Sequence, residues 1–144
     1  MILSLDHVAI VVPELSEALE RFTRDLGIAL DHVEDVVAAQ TRTAFLPVAG
    51  PTTIELITPL QGEGPLVRAL ERRGPGLHHL CFCTDDLDGD VARLRQRGWR
   101  FTTEAPTPGA HGTQVMFIHP RSTGGVLIEL AQRPGAGEHS PDGA

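Results

Sequence analysis

Cysteine is scarce in this chain, with two residues in 144, Cys81 and Cys83, only two positions apart. On an extended segment that spacing projects both thiols from one face, so they cannot bridge distant segments, and a disulfide-built scaffold is excluded. Basic residues are outnumbered, 12 against 19 acids for a formal charge of -7, which gives nucleic acid or anionic lipid no electrostatic footing. An anionic small ligand stays open, because a ligand feels the local potential and a bound metal can reverse it. No apolar run approaches the roughly 18 residues of a membrane helix. The N-terminus shows no basic start, uninterrupted apolar segment or cleavage-like site, so a cytoplasmic protein with neither a membrane nor a nucleic-acid partner is expected. Ser4, Ser16 and Ser122 sit in no nucleophile signature. The stretches "GPG", "GAHG" and "TGG" lack the strand-turn-helix setting of a phosphate-binding loop.

What is present is a repeated pattern. "LDHVAIVVPEL" at 5–15 and "LHHLCFCTDDL" at 77–87 each place a histidine ahead of an alternating apolar run and an acidic turn. The first segment predicts a strand over 5–12, then a helix from Pro13 that Gly27 stops, then strands near 29–37, 42–48 and 53–58. After a linker or helix in "GEGPLVRALERRGPG", the order returns: a strand at 77–83, a helix from Leu87 to Arg97 ended by Gly98, and strands near 99–103, 114–119 and 125–131. His7 falls on His79, Pro13-Glu14-Leu15 on Asp85-Asp86-Leu87, and "IEL" at 54–56 on "IEL" at 128–130, at offsets of 72 to 74. The expectation is an α+β fold of two tandem βαβββ modules forming a curved mixed sheet. It makes one domain over 1–131, with modules at about 1–62 and 75–131 and a disordered tail at 132–144.

Period two groups His7 with Ala9 and Val11, and His79 with Cys81 and Cys83, so His79 rather than His78 is the counterpart of His7. The bulkier faces, Val8, Ile10 and Val12 in one strand and Leu80 and Phe82 in the other, are expected to pack under the helix of their own module. Glu55 and Glu129 each lie between an isoleucine and a leucine, opposite in facing to both. Taken singly, each of these four residues is explained by a wet strand face. Together, each module supplies one histidine early and one glutamate late, 48 and 50 residues apart. Two neutral imidazoles and two carboxylates suit one divalent ion at net charge zero. Without an ion, two glutamates facing one cavity would repel. An octahedral ion with four protein ligands leaves two positions for water or for a substrate binding through two adjacent oxygens, and an open site of that kind is catalytic rather than structural. His111, in "PGAHGTQ", reads as an exposed loop residue, and His119 as structural.

These residues resemble the vicinal oxygen chelate superfamily, paired βαβββ modules around a metal, and within it the methylmalonyl-CoA epimerases. "LDHVAIVVPEL", "AFLPVAGPTTIELITPL" and "GLHHLCFCTDDLDGDVARLRQRG" carry the resemblance, and "GAHGTQVMFIHPRSTGGVLIEL" is the stretch most specific to the epimerases. The resemblance implies His7, Glu55, His79 and Glu129 as ligands of one divalent ion, whether cobalt, manganese, nickel, zinc or magnesium. It implies an acyl-CoA thioester substrate, methylmalonyl-CoA of propionate metabolism, epimerised at C2 through a chelated enolate, and a possible homodimer. Glu129 is the first candidate base, Glu55 a partner on the opposite face, and His111 a contact to the thioester or a further proton carrier. The glutamate that some epimerases carry on the third strand aligns with Thr43. A glyoxalase I would use nearly the same ligands. An extradiol dioxygenase would prefer histidine at position 55, and a drug-binding resistance protein of this fold would need no ligands at all.

Overall fold

Alternating apolar residues draw the first segment into β1 (Ile2–Val11), and Pro13 ends it. Glu14 then caps α1 (Leu15–Glu20), its carboxylate accepting from the Ser16 backbone N–H, and the helix widens into a π-type turn over Arg21–Asp25. Gly27, at φ 76, takes the left-handed conformation that lets the chain turn back. There follow β2 (His32–Val36), β3 (Thr41–Pro47), β4 (Thr53–Pro59), α2 (Pro65–Arg73), β5 (Gly76–Thr84) and α3 (Leu87–Gln96). The chain continues with β6 (Thr107–Pro108), β7 (Gln114–Ile118), α4 (Pro120–Thr123) and β8 (Ile128–Gln132). This computed structural model describes residues 1–135. Among them, no helix is long and apolar enough to cross a membrane.

All eight strands form one curled mixed sheet in the order β2-β3-β4-β1-β5-β8-β7-β6. Its centre is the antiparallel pair β1–β5, whose register has the symmetry of a duplication: His7 faces Cys81 and Ala9 faces His79. Outward from that seam, Ala9 faces Glu55 on parallel β4, and Cys81 faces Glu129 on parallel β8. One strand further, Phe45 faces Glu55 and Phe117 faces Glu129. The two histidines, two glutamates and two phenylalanines therefore share the concave face, since residues directly opposite each other in a sheet point the same way.

The convex face is the core. Val12, Ala44, Leu46 and Leu56 bury against Ala18 of α1, with Ile10 and Ile54 packed beside them. Met116, Ile118 and Leu130 bury against Leu87 and Val91 of α3, with Phe82 and Ile128 alongside. Each module thus covers its own half, as the alternation of bulky residues predicts. Leu56 is fully buried in the first cluster. Leu56→Ala is expected to cost about 2–5 kcal/mol through lost transfer energy and the cavity left behind, read as a lower urea midpoint at unchanged m-value. Unlike α1 and α3, α2 sits at one end of the concavity, where Leu66 and Leu70 meet Ala9, Val11 and Ile57.

Two sequence expectations are corrected, and one short helix is new. Residues 99–103 form no strand: Phe101 makes one isolated bridge to Ile118, and the sixth strand is the two-residue β6. Trp99 and Phe101 instead turn into the α3 cluster, and Pro106 and Pro108 leave two positions unable to donate to a ladder. A short helix, α4, fills the turn after His119, whose Nδ1 accepts from the Arg121 backbone N–H. At the C-terminal end, β8 includes Gln132, and Arg133 donates to Asp6 at 2.7 Å, so the tail placed at 132–144 begins in ordered structure. Its remainder from 136 lies outside the described residues.

Candidate metal centre

The small partners Ala9 and Cys81, both fully buried, leave room over the seam for the His7 and His79 rings to meet edge to face at 5.2 Å. Three donor atoms converge there. His7 Nε2 lies 3.1 Å from His79 Nε2 and 3.1 Å from Glu129 Oε2, and His79 Nε2 lies 2.8 Å from Glu129 Oε2. Three cis ligands at metal bonds of about 2.1 Å stand about 3 Å apart, so this near-equilateral triangle matches one face of an octahedral site. The side chains are 8–10% exposed, a burial at which two nitrogens and a carboxylate would not crowd together without positive charge among them.

The second ring nitrogens define the donor atoms further. Asp6 Oδ2 accepts from His7 Nδ1 at 2.9 Å, and His78 Nδ1 lies 2.8 Å from His79 Nδ1. With a proton on each Nδ1, both Nε2 atoms present lone pairs to the same point, the usual arrangement behind a metal-ligating histidine. Burial, then the neighbouring His79 and Arg73, press His78 down to about 4, so it is neutral near pH 7 and able to accept. Sequence reasoning missed both residues as participants. Yet Asp6 and His78 are themselves related by the 72-residue offset, a signal that the repeat contained.

Glu55 joins this buried cluster from the other side. Its Oε2 lies 2.5 Å from His7 Nδ1, not at the Nε2 triangle. Burial alone would disfavour a charged His7, but hydrogen bonds with Asp6, Cys81, Glu129 and Glu55 overcome it and raise the imidazole well above its usual range. Burial would likewise raise Glu129, yet hydrogen bonds from His7 and His79 outweigh it and hold the carboxyl down to about 2. Charged His7 faces Asp6 and Glu55 with its Nδ1 proton and Glu129 with its Nε2 proton, and a divalent ion at the triangle would take the place of the Nε2 proton. Asp6, His7 and Cys81 form a second possible donor group, but burial pushes the Cys81 thiol up to about 12, against thiolate formation.

His111 is not brought into the triangle. It occupies the loop before β7 in a left-handed conformation, φ 57 and ψ 32, and crosses to the opposite edge of the sheet. There its Nε2 lies 2.9 Å from His32 Nε2 and 3.2 Å from Glu34 Oε2. Phe45 stacks on His32 at 4.5 Å and touches the His111 ring at 4.6 Å. His32 Nδ1 donates to Asp31 at 2.5 Å. His111 therefore joins the two ends of the curled sheet above the β3–β4 wall. Thr43, buried on β3, offers no carboxylate there.

The family model of the glyoxalase/bleomycin resistance protein/dioxygenase superfamily matches residues 6–117. The ethylmalonyl-CoA/methylmalonyl-CoA epimerase of Cereibacter sphaeroides is 36% identical over 135 residues, covering 92% of this chain and 99% of its own. The crystal structure of methylmalonyl-CoA epimerase from Mycobacterium tuberculosis superposes with a TM-score of 0.86 at 37% identity, over 92% of this chain and 89% of that one. A methylmalonyl-CoA epimerase in complex with methylmalonyl-CoA and NH4+ superposes with a TM-score of 0.88 at 28% identity, over 94% of this chain and 98% of that one. With its sheet order, its symmetric seam and a family match spanning both modules, the chain belongs to the glyoxalase/bleomycin resistance/dioxygenase, or vicinal oxygen chelate, superfamily.

Proposed function

We propose that this protein is an epimerase that inverts C2 of methylmalonyl-CoA, the carbon between a carboxylate and a thioester. The observation that carries the reading is the triangle of His7, His79 and Glu129 donor atoms, in a chain whose relatives include epimerases of that name. These three residues would hold one divalent ion. Asp6 already satisfies His7 Nδ1, which leaves the Glu55 carboxylate available as the fourth donor. When bound, the ion supplies Lewis-acid stabilisation of the negative charge that develops on the thioester oxygen as the C2 proton leaves.

The protein's own part is to move protons on two sides of one carbon. Inversion needs a carrier on each face, and the sheet offers two walls beside the seam. Glu129 stands on the β8 wall. Its low pKa arises from hydrogen bonds with the His7 and His79 nitrogens, the same atoms assigned to the ion. Its second oxygen, outside the triangle, is the one assigned to take the C2 proton. On the opposite wall stand Glu55 and, above it, His111 with Glu34 at 3.2 Å to orient its ring. His111 is the assigned proton donor there, in the place where Thr43 has none to give.

Incubation of (2R)-methylmalonyl-CoA in deuterated water tests the reading: deuterium should enter C2 while chirality decays to the equilibrium mixture. Retained configuration and an unlabelled C2 would refute it. His111→Ala should raise the ratio of deuterium exchange to inversion, because Glu129 still exchanges the proton on its own face. An unchanged ratio assigns the second carrier to Glu55.

A further inference from the structure

We infer that the arginines of α2 bind the nucleotide phosphates of the acyl-CoA substrate, in a cavity that adjoins the metal centre through His78. This rests on the acyl-CoA reading above. Arg68, Arg72 and Arg73, together with Val11, Leu77, His78, Pro120 and Leu127, line a cavity of about 210 Å³. His78 forms part of its wall and also lies 2.8 Å from His79, so one imidazole ring stands between the cavity and a corner of the donor triangle.

The charge arrangement asks for an anion. In a chain of net charge -7, three arginines fall within six residues of one nine-residue helix. Among the described residues, none of the three forms an ion pair, whereas Arg21, Arg24, Arg42, Arg93 and Arg133 each find a carboxylate. Arg72 and Arg73 complement the carbonyl end of α2, but Arg68 is a full turn earlier, and like charges at i and i+4 repel on a helix. A bound polyphosphate turns that repulsion into attraction through the forked hydrogen bonds that guanidinium makes to phosphate. The helix can carry these charges because its packing rests on Leu66 and Leu70.

The apolar part of the lining points to the same ligand. Leu77 is 77% exposed, although it opens a strand of the central seam, and with Val11, Pro120 and Leu127 it offers a track between the arginines and His78. An acyl-CoA has that division, with phosphates at one end, a reactive thioester at the other and an extended arm between them. The larger cleft, about 1320 Å³ at the opposite end of β1, sets Asp85, Asp86 and Asp88 against Arg133 and the Met1 terminus, so acids outnumber cations in its lining.

Calorimetry with adenosine 3′,5′-bisphosphate, the nucleotide end of coenzyme A, tests the inference without requiring turnover. The triple variant Arg68→Gln, Arg72→Gln, Arg73→Gln should bind it at least tenfold more weakly than the wild type, at unchanged thermal midpoint. Arg97→Gln, an exposed arginine beyond α3, should bind as the wild type does. In turnover, the triple variant should raise the KM for methylmalonyl-CoA by a similar factor at low salt, with kcat changed less than twofold. Equal affinity of wild type and triple variant for the bisphosphate, or inorganic phosphate binding the wild type as tightly as the bisphosphate, would overturn the assignment. A wild type that binds the bisphosphate but exchanges no C2 proton would sink the epimerase reading and leave the phosphate site standing.

Discussion

Glu129→Gln is expected to lower epimerisation by about 10² to 10⁴, the usual contribution of a general base, while metal content falls far less. The amide keeps an oxygen in the position that now lies 2.8 Å from His79 Nε2 and 3.1 Å from His7 Nε2, so one corner of the donor triangle persists. What it loses is the ability to take a proton. The measurement pairs metal per chain, after gel filtration, with initial rates of C2 deuterium exchange. Exchange rather than inversion is the sensitive readout, because it reports abstraction on the Glu129 side whether or not the second carrier completes the inversion. If metal and exchange fall in proportion, Glu129 is a ligand only, and abstraction belongs to the wall of Glu55 and His111. If both survive, the carboxylate serves neither role, and its burial at 8% exposure would stand without a chemical account.

The duplication was the most legible feature of the sequence, because a repeat carries its own register. Once His7 maps onto His79, the ligand face of each histidine strand follows from period two, while the antiparallel seam and the parallel outer pairings are seen only in the register. The same offset also joins Asp6 to His78 and Phe45 to Phe117, pairs that explain how the donors are oriented and flanked. These pairs differ in residue type or sit next to a stronger signal, so only the structure shows that Asp6 and His78 each back a ring nitrogen. Glu55 and Glu129 are alike in sequence and in register, yet only Glu129 reaches the Nε2 triangle. Their difference lies in side-chain direction around His7, which strand periodicity does not encode. The meeting of His111 with His32 was invisible for another reason. It joins strand edges 79 residues apart through the curl of the whole sheet, and a left-handed loop residue carries no mark of what it will touch. The strand expected at 99–103 failed because aromatic residues that favour strands also serve as core plugs, and Trp99 and Phe101 do the latter.

Removal of the His79 imidazole should produce the largest loss of metal. His79→Ala takes away one of three converging donors and leaves His7 Nε2 and Glu129 Oε2 facing a void, so affinity for cobalt or zinc is expected to fall by more than about 100-fold, beyond the range typical of outer-shell changes. His78→Ala removes only the group that meets His79 Nδ1 at 2.8 Å, and its cost should lie near the low end of that range, roughly tenfold. Chelator competition at neutral pH measures both, and His78 is already neutral there because burial holds it near 4. The wild type should lose activity with the chelator and regain it with cobalt or manganese. Each variant's thermal midpoint without metal separates ligand loss from misfolding, since a bound ion raises the midpoint only in proteins that still bind it. Equal losses in the two variants would mean that the donor is chosen by the pair rather than by the strand face. A metal-free wild type that keeps full activity would remove the ion from the mechanism altogether, and the buried carboxylates around His7 would then be balanced by its proton alone.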